Sequence, residues 1–153
     1  MMRTDLLLLT PLAKLSDFAL LLLRWMTGAF LVHQSHDNVL SAERMAEFEK
    51  FLVQFDFPVP GLMAPLCVWA QLLCGIALIL GLLTRWAGLV TAFVMLVAVW
   101  MVHWPQDFTG WWPALILVFL GLLFATRGAG RYSLDHRIER RDDRHRNQTA
   151  GQR

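Results

Sequence analysis

The sequence has little charge over most of its length. Only 17% of its 153 residues are Asp, Glu, Lys or Arg, against 56% apolar, where a soluble domain carries about 25% charged residues. The charges gather in two dense stretches and leave long runs almost free of them. Lipid is the solvent for such runs, and 153 residues leave room for one domain. No segment alternates with period two, which argues against membrane strands of about ten residues. Cysteine is scarce. Cys67 and Cys74 are seven positions apart, about 10.5 Å along a helix axis, which exceeds the reach of a disulfide. With no Cys-x-x-Cys, a self-contained thiol–disulfide centre is disfavoured and both thiols read as packing. Gly-rich phosphate loops and nucleophile motifs are missing, and nothing mid-chain resembles a nucleic-acid surface.

Four hydrophobic segments are present, over about 16–33, 61–83, 86–103 and 111–126. Each approaches the 20 or so residues that cross a bilayer core. The expected fold is therefore an all-α membrane protein, an antiparallel bundle of four transmembrane helices within residues 1–137. Leu83-Thr84-Arg85 forces a hairpin between the second and third helices, and Trp104 to Gly110, with Pro105, forms another short link. The first link is long. In it Met45, Phe48, Leu52 and Phe55 recur at helical spacing, with Glu43, Arg44, Glu47, Glu49 and Lys50 on the other face. This is an amphipathic helix, expected outside the cytoplasm at the interface or as a cap on the bundle. Pro58 and Pro60 end it. Ala77-x3-Gly81 and Gly88-x3-Ala92 are expected to pack the second helix on the third.

Residues 1–15 lack a cleavage-site pattern and read as a retained amphipathic lead-in. Arg3, Lys14, Arg85 and eight arginines beyond residue 126 lie on one side of the bundle, and only Arg44 and Lys50 on the other. That asymmetry predicts a multi-pass protein of the cell inner membrane with both termini cytoplasmic. The tail 138–153 is basic and without hydrophobic period, and is expected to be a disordered cytoplasmic segment.

Few residues in the apolar segments carry chemistry. Arg24 stands about eight residues into the first helix and Gln71 about ten into the second, at similar depth, so a charge that needs a partner can reach an amide. His33 and His103 both fall near the outer edge of the core, with His36, Asp37 and Asp107 close in sequence. Such a rim suits hydrogen bonding, a quinone head, proton exchange or, with His33, His36, His103 and Asp107 as the candidate ligands, a metal. No complete metal ligand set is evident, and no catalytic residue is identifiable. The ligand-binding candidates are Arg24, His33, Gln71 and His103.

Three segments resemble the DoxX family: Leu23-Arg24-Trp25-Met26-Thr27-Gly28 leading to Phe30 and His33, the stretch from Gln71 through Gly75 and Leu80-Gly81-Leu82-Leu83 to Thr84-Arg85, and Gly128-Ala129-Gly130-Arg131-Tyr132-Ser133-Leu134-Asp135. The resemblance implies a four-helix inner-membrane protein associated with quinone- or thiol-linked redox chemistry. The family often carries an acidic residue at the place of Gln71, which cannot titrate, so a fixed hydrogen bond is expected there. The expected role is an accessory subunit of a membrane redox system, with quinone as a possible cofactor. A partner membrane or redox protein and a homo-oligomer are compatible with it. A non-catalytic scaffold or assembly factor is the alternative, and a small-solute or metal transporter a weaker one.

Overall fold

A computed structural model describes residues 10–104 and 106–150, and every regular element among them is helical. Most of the lead-in expected over residues 1–15, and Pro105 in the third link, lie outside the described residues. Thr10–Leu15 forms a short 3-10 helix. The α-helices are α1 (Ser16–Leu40), α2 (Ala42–Gln54), α3 (Pro60–Leu80), α4 (Thr84–His103), α5 (Phe108–Arg127) and α6 (Leu134–Ala150). The last turn of α4, Val99–His103, is π-helical.

Local chemistry sets the boundaries. Ser41 takes an extended backbone, and its side chain accepts from the Arg44 N–H at 3.4 Å to start α2. Pro60 opens α3 at its first position, where a missing N–H costs nothing. Gly81, at φ 66°, closes it in the left-handed conformation that glycine adopts freely. Asp107 accepts from the Gly110 N–H at 3.0 Å and starts α5.

The structure moves two expected boundaries. α1 does not stop at His33 but runs on to Leu40. The polar run from His33 to Asp37 ends the hydropathy, not the backbone ladder, and no Gly or Pro interrupts it. The tail expected to be disordered is helical from Leu134 to Ala150. Its start is capped by the Ser133 hydroxyl, which accepts from the His136 N–H at 3.1 Å, and its arginines favour helix without any apolar period.

Three helices, α3, α4 and α5, are long and apolar enough to cross a membrane. Their outward faces carry large exposed hydrophobics such as Phe93 and Phe119, a surface suited to lipid rather than water. α1 packs on α3 and α4 packs on α5, each pair through facing glycines. A Cβ on Gly28 would lie 2.6 Å from the Gly75 carbonyl oxygen, and one on Gly88 would lie 2.6 Å from that of Gly121. Backbones thus touch where small residues allow it. Gly88 and Ala92 face α5 rather than the second hydrophobic helix, contrary to the expected pairing, and Gly81 is a helix cap. An Arg-Trp pair precedes each contact glycine, Arg24-Trp25 before Gly28 in α1 and Arg85-Trp86 before Gly88 in α4.

Gly88→Val therefore forces α4 and α5 apart. It should lower stability in detergent by about 1–3 kcal/mol or more, read by thermal unfolding. Gly61→Ala, where a Cβ would meet only the Glu49 side chain at 3.0 Å, should change it little.

Candidate functional site

Polar side chains collect at the two ends of the bundle. The turn end holds the α3–α4 turn, the C-terminus of α5 and the start of α6; the cap end is covered by α2.

At the turn end Arg24 is only 1% exposed. Its Nε donates to the Leu78 carbonyl at 3.1 Å, in the last turn of α3, one terminal nitrogen donates to the Ala129 carbonyl, and the other to that of Tyr132 at 2.9 Å. Helix C-termini present carbonyls short of N–H partners and a negative partial charge, so a guanidinium is well matched there. Asp135 completes the latch. Its carboxylate accepts from the Leu83 and Thr84 N–H groups at 2.7 and 2.9 Å, the free donors at the start of α4, while its own N–H donates to the Gly81 carbonyl at 2.9 Å. Gly81 cannot be replaced cheaply, because a Cβ there would sit 2.8 Å from both terminal nitrogens of Arg24. Arg85 repeats the device on α5, donating to the Ala125 and Thr126 carbonyls at 3.0 and 2.8 Å.

Arg24 therefore does not meet Gln71. With Gly28 set against Gly75 and the helices antiparallel, Arg24 is level with Leu78, and Gln71 lies beyond Gly75 toward the cap end. The expectation took the ends of the two helices as level, whereas Arg24 is eight residues from the start of α1 and Leu78 is two from the end of α3.

At the cap end a cavity of about 340 Å³ lies between α1, α3, α4 and α5, closed over by Phe48, Phe51 and Leu52 of α2 and by Phe57. Its wall is mostly apolar, with Gln34, Gln71 and His103 as its polar groups and the Cys67 thiol beside them. Pockets from about 300 Å³ upward, apolar with a few convergent polar groups, are the usual form of a small-ligand site. The π turn at Val99–His103 brings both Val102 and His103 to the cavity; such insertions recur at functional sites. His103 Nδ1 is 3.2 Å from Gln106 Oε1.

The predicted rim residues are otherwise dispersed. His33 is exposed and does not line the cavity. Its ring stacks on His36 at 5.5 Å, and His36 Nε2 lies 3.0 Å from Asp37. Asp107 is occupied as the α5 cap, and hydrogen bonds from the Thr109 hydroxyl and the Gly110 N–H hold its carboxyl below the usual carboxylate range. Among the described residues no three His, Cys, Asp or Glu side chains converge as a metal site. Gln34 was missed. The signal was its spacing from Phe30, one helical turn earlier on the same cavity wall, the spacing that also joins Cys67 to Gln71.

The sequence model of the DoxX family matches residues 19–104, from the second residue turn of α1 through the π turn of α4. The chain belongs to the DoxX family. The match takes in Arg24, Gln71 and His103, so both the latch arginine and two polar groups of the cavity lie within it. Its apolar helices make it a multi-pass membrane protein. No curated protein and no solved structure matches the chain.

Asp135→Ala leaves the Leu83 and Thr84 N–H groups without their acceptor. It should cost about 1–3 kcal/mol, read as a lower unfolding temperature. Asp107→Ala, an exposed cap on α5, should cost at most about 2 kcal/mol.

Proposed function

We propose that this DoxX protein is an accessory subunit of a membrane redox system that binds a quinone headgroup in the cap-end cavity. The observation that carries the reading is the placement of the Gln71 amide and the His103 imidazole on the wall of an otherwise apolar 340 Å³ cavity between membrane helices. Its chemistry fits a ring with two opposed carbonyl oxygens and an apolar tail.

Such a quinone supplies a two-electron, two-proton couple, and the electrons come from a partner redox protein. The chain's own residues bind, orient and manage a proton. The amides of Gln71 and Gln34 donate hydrogen bonds to a carbonyl oxygen. With Nδ1 facing the Gln106 amide oxygen and donating to it, His103 has Nε2 left to accept a hydrogen bond from the hydroxyl of the reduced ring. Phe48, Phe51 and Phe57 keep water from the ring face.

The same reading makes α1 the fourth crossing. Its 25 residues span about 37 Å, and Arg24, the charge within it, is matched to backbone carbonyls rather than left in lipid. Four crossings place both ends on one side, and the arginine excess at the turn end makes that side the cytoplasm of an inner membrane. α2 then lies outside. A scaffold without redox chemistry is the second reading, favoured by the purely structural use of Arg24 in the latch.

Quinone titration of the purified protein in nanodiscs separates the two. Gln71→Leu and His103→Leu should each weaken binding about tenfold, the loss of a buried hydrogen bond or slightly more, and His33→Ala should leave it unchanged. Wild-type protein that binds no quinone sinks the redox reading and leaves the scaffold. For topology, an impermeant thiol reagent should label Glu43→Cys in intact cells, and Arg140→Cys only after permeabilisation.

A further inference from the structure

A second cavity, of about 490 Å³, opens at the turn end between the start of α1, the α3–α4 turn, the end of α5 and the start of α6. Charges of both signs border it: Arg127 and Arg131, Asp17 and Glu139. Among the described residues none of these four forms an ion pair, although they share one space. Asp135 and Arg85 also border the cavity, but their charged groups are already bonded to backbone.

Position narrows the ligand. The apolar helices α3 and α5 end here and α4 begins here, and Trp86, 68% exposed, stands on the cavity edge. An exposed tryptophan at the end of a membrane helix marks the headgroup layer. Composition narrows it further. A purely anionic headgroup would meet Asp17 and Glu139, and a purely cationic one would meet Arg127 and Arg131. A quaternary ammonium offers no N–H to a carboxylate, whereas a primary ammonium offers three.

We propose that this cavity binds a zwitterionic glycerophospholipid with a primary ammonium, the chemistry of phosphatidylethanolamine. The phosphodiester lies toward Arg127 and Arg131, and the ammonium lies toward Asp17 and Glu139. Arginine is the residue suited to the phosphate half of this pairing.

The test is native mass spectrometry of the full chain titrated with phosphatidylethanolamine, phosphatidylcholine and phosphatidylglycerol, with water-soluble phosphoethanolamine as competitor. The expected result is retention of phosphatidylethanolamine about tenfold above the other two lipids. Arg127→Gln/Arg131→Gln should remove that retention. Asp17→Asn/Glu139→Gln should reverse the preference toward phosphatidylglycerol, a gain that a misfolded variant does not produce. Equal retention of all three lipids, or a preference that both double variants leave intact, overturns the proposal. Full competition by free phosphoethanolamine overturns it in favour of a soluble ligand.

Discussion

The structure depends on one buried arginine. Arg24 sits in an apolar helix, where a charge without partners costs several kcal/mol, and its three kinds of nitrogen each find a backbone carbonyl. These carbonyls belong to two parts of the chain far apart in sequence, the end of α3 and the segment after α5. A single side chain therefore ties α1 to α3 and both to the C-terminal segment. Asp135 answers from the other side, with its carboxylate on the free N–H groups of α4. Cation on helix C-terminus and anion on helix N-terminus is the arrangement the peptide dipoles favour. The stretches Leu80–Arg85 and Gly128–Asp135 are two parts of this latch.

The cavity follows from how the helices are held. Gly28 against Gly75 and Gly88 against Gly121 bring each helix pair to backbone contact toward the turn end, and the short α3–α4 turn keeps the two pairs together there. No comparable glycine contact exists toward the cap end among the described residues. The cap-end cavity lies beyond these contacts, and Phe48, Phe51 and Leu52 of α2 border it.

Much of this was legible in the sequence. Charge-free segments identify α3, α4 and α5, the periodicity of Met45, Phe48, Leu52 and Phe55 identifies α2, and the tight turn at Thr84 stands out. Less legible was whatever hydropathy does not encode. α1 continues through His33 to Leu40 because the backbone ladder is indifferent to polarity, and its start at Ser16 projects past the end of α3, which sets Arg24 level with Leu78 and not Gln71. α6 has no apolar period, so only its Ser133 cap signalled it. The partner of Gly88 was misread because small-xxx-small spacing reports that a face is close-packed and not which helix meets it. Of the four ligand candidates, Gln71 and His103 share the cavity. Their common site depends on the π turn, which no residue pattern announces.

The division of polar groups between the two ends also limits what this protein can do. Arg24 and Asp135 are fully engaged in holding backbone, so moving either charge to a ligand would break the contacts that define the bundle. Gln34, Gln71 and His103 hold no helix end, and a ligand can claim them without loss of fold. The same reasoning applies within the turn-end cavity, where Arg85 and Asp135 are committed while Arg127, Arg131, Asp17 and Glu139 are not. In a bundle this small, a polar side chain is available for binding only where the backbone does not already require it.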